Sequence, residues 1–201
     1  MAIRLIPEKT GSRLFCSSKW WGNPDMPSNM AYPMIDGYPL TFLCQIDCED
    51  IAPHDPEGRL PHEGMLYFFA AVDEYLGYEV PHEPNGTGRW PQGRVVVKYV
   101  KSINMETFES HILLDEDDNE IAEPPLLLRF ASCEDDAAPG LRLLGSCRPE
   151  RSPQTEDREG FCLLQAESDP LLGLQFPDGA SLGILVPAPG EWRQAYGFLS
   201  V

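Results

Sequence analysis

The segment from Pro39 to Phe69, PLTFLCQIDCEDIAPHDPEGRLPHEGMLYFF, constrains the fold most, because its pattern returns near the C-terminus. It opens as an apolar run with one polar interruption, Leu40 to Ile46. It then crosses an acidic, proline-bearing loop and closes as a second apolar run, Met65 to Val72. Two short apolar runs separated by a long excursion predict two strands. A shift of 120 residues places Leu43 on Leu163, Gln45 on Gln165, Asp47 on Glu167 and Glu49 on Asp169. A shift of 115 to 116 places Glu63-Gly64 on Asp178-Gly179, and Leu66 and Phe68 on Leu182 and Ile184. The expected architecture is a degenerate internal duplication, with halves at about 1–100 and 101–201 inside one compact domain spanning 1–201. Leu43, Ile46, Leu66, Phe68, Leu163, Leu164 and Ile184, the apolar positions that the pattern preserves, form the predicted core.

A chain of 201 residues can bury a substantial core. Its 20 prolines and 17 glycines argue against a helical bundle, since a proline inside a helix costs about 3 kcal/mol. The expected fold class is α+β: mostly antiparallel β-sheet with a few short helices, built from two related halves. Arg94 to Val100, RVVVKYV, is the clearest β segment, rich in β-branched residues. Further strands are expected at Ile3–Ile6, Arg13–Cys16, Glu106–Leu114, Leu126–Ala131 and Leu141–Leu144, with an edge strand at Phe198–Val201. Ser17 to Pro39 reads as an ordered loop, because Pro27 and Pro33 interrupt the helical spacing of Met26, Met30 and Met34. Ser168 to Leu172 reads as one helical turn, and Glu150 to Gly160 as an exposed loop.

The balance of 15 Lys plus Arg against 32 Asp plus Glu gives a formal charge of -17. Such a chain is repelled by polyphosphate backbones and anionic bilayers, so neither nucleic acid nor membrane is an expected partner. Acidity of this degree serves solubility, or it provides a surface for a basic protein partner. The densest acidic run, Asp115-Glu116-Asp117-Asp118-Asn119-Glu120, is the candidate contributor, together with Trp20 and Trp21; its plainer reading is a solvated turn. The first residues hold no continuous apolar region, and no window approaches the length of a membrane helix, so a cytoplasmic protein is expected. In that compartment the six cysteines, Cys16, Cys44, Cys48, Cys133, Cys147 and Cys162, read as thiols rather than bridges.

The chemistry-bearing residues assemble into no catalytic motif. Cys44, Cys48, His54 and His62 are the local candidates for zinc, but their spacing matches no familiar knuckle. The acidic run places Asp115, Asp117 and Asn119 on the first, third and fifth positions of a calcium loop. Glu120 then replaces the required glycine and Leu126 the bidentate glutamate, which removes the geometry. His54, His62, His82 and His111 stand in no nucleophile-activating motif. Asp47, Glu49 and the counterpart Glu167 read as capping residues rather than acid-base pairs. Gln45 and Gln165 each interrupt an apolar strand and must find partners, since a buried unpaired group costs about 1 to 3 kcal/mol. Each is expected to satisfy the backbone of its own loop; the functional alternative is a ligand held between the halves. Asn85-Gly86-Thr87 fits a glycosylation sequon, which carries no consequence without a secretory signal, and its glycines make no phosphate loop.

Four stretches carry a resemblance: Lys19 to Pro27, with a glycine-x-proline-x-x-proline pattern; Pro39 to Asp47, PLTFLCQID; Leu60 to Phe69, LPHEGMLYFF; and Leu143-Leu144-Gly145 with Leu163-Leu164-Gln165. In these the chain resembles the YwqG-like family of mostly bacterial proteins, a domain of unknown function. Leu141 stands where that family carries a histidine, and Ser181-Leu182-Gly183-Ile184 lacks the aromatics of its second strand motif. The resemblance implies the architecture above but no established activity. Its genomic association with secreted toxins implies an acidic immunity or adaptor role. The expected function is therefore a binding or interaction protein, with no assigned catalytic, cofactor or metal residue. The rival is a small-molecule binder or enzyme using the cleft between the halves. A deep cleft gathering histidine and carboxylates favours the rival, and a shallow acidic face the interaction protein.

Overall fold

The computed structural model describes residues 1–134, 139–146 and 160–200. Cys147 and all of the predicted loop Glu150–Gly160 except Gly160 lie outside the described residues. The apolar runs become strands: β1 (Ala2–Lys9), β2 (Lys19–Trp20), β3 (Asp25–Pro27), β4 (Met34–Ile35), β5 (Tyr38–Pro39), β6 (Thr41–Asp47), β7 (Met65–Ala70), β8 (Gly88–Arg89), β9 (Val95–Val100), β10 (Phe108–Ser110), β11 (Leu126–Cys133), β12 (Arg142–Leu143), β13 (Phe161–Glu167), β14 (Ser181–Val186) and β15 (Tyr196–Ser200). Eleven of these form one antiparallel sheet in the order β8-β15-β14-β13-β12-β1-β11-β2-β6-β7-β9. β3 pairs with β10, and β4 with β5, in two small sheets. Among the described residues helix is confined to α1 (Cys48–Ile51) and four 3-10 turns, including Asp73–Leu76 and Trp192–Gln194. The protein is mostly antiparallel β-sheet with a few short helices.

The central pair is β1 with β11, in which Ile6 faces Arg129 near the middle of the register. One wing, β2-β6-β7-β9, leaves from β11, and the other, β12-β13-β14-β15-β8, leaves from β1. The wings share local geometry. Trp21 and Leu144 both take a left-handed conformation, with φ of 60° and 61°, and each precedes a glycine of positive φ. The N–H of Trp21 donates to the Leu43 carbonyl at 2.8 Å, and that of Leu144 to the Leu163 carbonyl at 3.1 Å. Gln45 stands opposite Lys19 as Gln165 stands opposite Arg142. The ladders of β6 with β7 and of β13 with β14 each slip once, at Phe42/Cys44 and at Cys162/Leu164.

The sheet curls until its ends meet. β8 and β9, at opposite ends of the strand order, are near neighbours in sequence, and Trp90 and Val95 press on Gly197 of β15 so closely that a Cβ there would lie 2.6 Å from the indole. Ile3, Leu5, Trp20, Leu43, Leu66, Phe68, Leu163, Leu164 and Ile184 belong to one core cluster contributed by both wings. β7 is buried on both faces: Leu66, Phe68 and Ala70 enter that core, while Met65, Tyr67 and Phe69 enter a second one with Met26, Leu40 and Phe42. The proline-rich stretch Ser17–Pro39 is thus an ordered cover over β7, carrying β2 to β5 within it, with Met26 fully buried and Met34 52% exposed.

All seven predicted core residues are at most 1% exposed. Leu43→Ala is expected to cost about 2 to 5 kcal/mol in a urea titration; a loss below about 0.5 kcal/mol would be that of a surface position. Other expectations need correction. Arg13–Cys16 forms no strand, because Cys16 takes φ of 51° and gives its N–H to the Asp25 carboxylate rather than to a ladder. Glu106–Leu114 contracts to Phe108–Ser110, since the Asn104 carbonyl draws the Thr107 and Phe108 N–H groups into a turn. Ser168–Leu172 is a turn closed by the Asp169–Leu174 bridge, with the Asp169 carboxylate taking the Leu171 N–H. The last strand is not an edge, because β8 covers it. Cys16, Cys44 and Cys48 are buried thiols, but Cys162 is disulfide-bonded, contrary to the reading of every cysteine as a thiol. Among the described residues no helix is long and apolar enough to cross a membrane.

Candidate functional site: an acidic aromatic cleft

A buried carboxylate sets the frame of the site. Asp25 is fully buried and its Oδ2 accepts from the Cys16 N–H at 2.8 Å, the Lys19 ammonium at 2.7 Å and the Gln45 amide at 2.9 Å. Its Oδ1 accepts from the Ser110 hydroxyl at 2.6 Å. The Asp25 N–H donates to Gln45 Oε1, and the Tyr67 hydroxyl donates to the Asp25 carbonyl. Five donors and one acceptor from separate segments thereby converge on one residue, which fixes the Trp21–Pro24 bend against β6 and β7. Burial, with the Asp25 carboxylate second, pushes the nearby Cys16 thiol up to about 11, so it stays protonated at neutral pH.

This bend forms one wall of a cleft of about 550 Å³. The other walls are Tyr32 with the Tyr38–Phe42 segment, the 3-10 turn Asp73–Leu76 with its continuation to Glu79, and the arm from His111 to Glu123. Trp21, Tyr32, Tyr38, Phe42 and Tyr78 supply aromatic surface, and Asp73, Glu79, Asp115, Glu120 and Glu123 supply carboxylates; among the described residues no Lys or Arg lines it. The arm is docked by the Gly22 N–H, which donates to the Glu123 carbonyl at 2.9 Å. Gly22 is required there: its φ is +78°, and a Cβ would stand 2.9 Å from Pro125. Side chains reinforce the seam, with Asn23 Nδ2 donating to Glu120 at 3.1 Å and the Tyr78 hydroxyl to Glu123 Oε1 at 2.6 Å. At the floor Asp73 accepts from the Thr41 hydroxyl. Burial first and the Asp73 charge second raise the pKa of Tyr32 and Tyr38, whereas for Tyr78 the Glu123 hydrogen bond is the main cause. All three phenols remain neutral donors at physiological pH.

The acidic run divides in two. The Asp115 Oδ1 accepts from the N–H groups of Asp117 and Asn119, at 2.9 and 2.8 Å, and Leu114 bridges to Glu120. Bonds from Asn119 lower the Asp115 pKa. This closes a turn whose tip exposes Glu116, Asp117 and Asp118, while Asp115 and Glu120 line the cleft. Trp20 is fully buried in the core, whereas Trp21, 4% exposed, lines the cleft and donates its indole N–H to the Leu172 carbonyl at 3.1 Å.

The remaining candidates are dispersed. Cys44 and Cys48 are buried, His54 bonds Ser132 and His62 bonds Asp55; among the described residues no three metal-ligating side chains converge. Asp47 caps α1 by accepting the Glu49 N–H at 3.1 Å. Gln45 satisfies the backbone of its own loop at Ser17 and Asp25, but Gln165 bonds the side chains of Arg142 and Glu167 instead. The Asn85 amide is turned inward onto the Ala71 carbonyl, so the sequon asparagine serves the fold. Sequence reasoning missed Tyr38, Asp73, Tyr78, Glu79 and Glu123. The one available signal was that polar and aromatic residues follow directly on the apolar strand β7, in DEYLGYE.

A family model described as a domain of unknown function, DUF1963, matches residues 18–142. The chain belongs to this family. No curated protein matches it. The DUF1963 segment contains every residue that lines the cleft, together with the Asp25 network that holds its wall. It ends at Arg142, in the first strand of the wing that leaves from β1.

Proposed function

We propose that this DUF1963 protein is a binding protein that receives a basic protein partner at the acidic aromatic cleft, with the exposed tip Glu116–Asp118 steering the approach. The observation that carries this reading is the lining itself: five carboxylates and five aromatic rings around about 550 Å³, without a Lys or Arg among the described residues that line it. Uncompensated charge of one sign in a walled cleft focuses the field and raises association rates for the opposite sign. A cleft that gathers His111 with carboxylates is the feature expected of the rival reading, a small-molecule binder or enzyme, and it supports that reading as the alternative; the basic-partner reading is carried by the uncompensated charge and the exposed tip. The cleft is lined by residues 21–79 and 111–123, so both of the halves expected at about 1–100 and 101–201 contribute to it. Catalysis is not the better reading, because Asp73, Asp115, Glu120 and Glu123 already accept hydrogen bonds from the surrounding frame and act as fixed charges. An immunity or adaptor role is the biological form such binding would take. Affinity capture from host lysate with the wild type and with a Glu116→Gln, Asp117→Asn, Asp118→Asn, Glu120→Gln variant tests this. Basic proteins retained by the first and lost by the second are expected; equal retention overturns the reading.

The same proposal includes the finer family name and the origin of the fold. The YwqG-like stretches Lys19–Pro27, Pro39–Asp47 and Leu60–Phe69 fall inside the DUF1963 match, and descent from a duplicated unit accounts for the paired features of the two wings. The offset of 123 residues between Trp21 and Leu144 is close to the shift of 120 in the sequence pattern. Relatives in which the Lys19–Gly22 and Arg142–Gly145 bends differ in conformation would count against duplication. A cytoplasmic location rests on the acidity and the buried thiols; the disulfide at Cys162 argues for an oxidising compartment. Alkylation of Cys162 in fresh lysate, with and without reductant, distinguishes the two.

A further inference from the structure

We infer that the group seated in the cleft is an arginine side chain of a peptide segment, its guanidinium against the Tyr78 ring with the Glu79 and Glu123 carboxylates as acceptors. The inference rests on the cleft being a ligand site, as proposed above, and adds the chemistry of the ligand. Two observations independent of the count of acidic residues lead to it. The first is that none of the five cleft carboxylates forms an ion pair with a described Lys or Arg, although this protein pairs Asp25, Asp55 and Glu63 elsewhere. Glu79 makes no hydrogen bond among the described residues, and Glu123 uses only Oε1, toward Tyr78. The second is that Tyr78 is 54% exposed, yet its hydroxyl is anchored to Glu123, so an immobilised aromatic ring sits beside a free carboxylate oxygen.

Guanidinium fits this set better than ammonium. It is planar and weakly hydrated, stacks on aromatic rings, and spreads five N–H donors over a fork that can meet two carboxylates together. Lysine presents a compact, strongly hydrated charge that loses more on entering aromatic walls. A volume of about 550 Å³ exceeds one side chain and falls in the range of sites for larger ligands, leaving room for residues flanking the arginine. The chain itself shows the packing mode, with Arg89 lying 3.9 Å over the Tyr196 ring.

The test titrates the whole protein with acetyl-arginine amide, acetyl-lysine amide and the neutral isostere acetyl-citrulline amide, read by tryptophan fluorescence, since Trp21 lines the cleft, and by NMR shifts. The arginine compound is expected to bind about tenfold more tightly than citrulline and more tightly than lysine, with affinity falling as salt rises. Glu79→Gln with Glu123→Gln is expected to weaken it about tenfold at an unchanged melting temperature. Tyr78→Leu, which removes the ring and no charge, is expected to weaken it several-fold. Citrulline binding as well as arginine overturns the inference. Tighter binding of lysine overturns the guanidinium assignment while the cleft reading stands. Binding of none of the three, or binding untouched by the double variant, removes both.

Discussion

Asp25→Ala is expected to lower stability by about 3 to 5 kcal/mol, the range for removing one partner of a buried ion pair. The substitution leaves the Lys19 ammonium, with a side chain 7% exposed, facing no counter-charge. It also orphans the Cys16 N–H and the Gln45 amide, which both rely on Oδ2. Such groups cannot turn to water, because the segments carrying them cover β7 on one side and pair with β6 on the other. The pair itself is a different matter: a buried ion pair replaced as a unit by apolar groups often costs little. Lys19→Met combined with Asp25→Ala is therefore expected to recover part of the loss, and urea unfolding of the two variants measures the difference. A single variant within about 1 kcal/mol of wild type would mean that the network contributes no more than ordinary hydrogen bonds.

The second large effect is expected at Gly64. A Cβ there would stand 2.0 Å from the Val100 carbonyl oxygen and 2.7 Å from the backbone of Lys101, and φ is +82°. Neither obstacle is a side chain that can swing away. They belong to Val100, the last residue of β9, and to Lys101, which follows it; Val100 is held by the ladder to Met65. Overpacking costs about 1 to 3 kcal/mol where side chains can yield, and the left-handed backbone adds about 1 to 2. Gly64→Ala is thus expected to lose at least about 3 kcal/mol or to fail to fold. Gly37→Ala is the control, with a similar φ of +83° and nothing within 4 Å, so it should cost only about 1 to 2 kcal/mol. Equal losses at the two glycines would assign the effect to backbone strain alone.

The strands that carry the core were legible because apolar runs bounded by turns leave few alternatives. β6, β7, β13 and β14 follow the runs closely, and Leu43 and Leu163 sit where the pattern put them. Gln45 was legible as a residue needing partners, but not as part of an Asp25 network, since Asp25 lies in a proline-rich stretch without periodicity. The cleft was not legible. Its lining comes from four segments between Trp21 and Glu123, and Tyr78 gains meaning only through its hydroxyl meeting Glu123, 45 positions away. The acidic run looked like one unit from composition, yet one Asx-type turn at Asp115 sends its members in two directions. β2 to β5 are too short to show a period of two, so no pattern could announce them.

The central strand pair dictates the order in which the molecule can be made. Ala2 meets Cys133 and Lys9 meets Leu126, so β1 leaves the ribosome while its partner is still more than a hundred residues downstream. The β6-β7-β9 wing closes through antiparallel neighbours that emerge close together, and it can assemble while β1 is still alone. Until β11 arrives, β1 is an open edge carrying Ile3 and Leu5, which the finished protein buries. Pairings of such long range are slow to form, because the chain entropy of closing the loop is lost before most contacts are made. The seam that joins the two wings thus waits on β11, and in the interval a nascent chain exposes the apolar face of its own central strand.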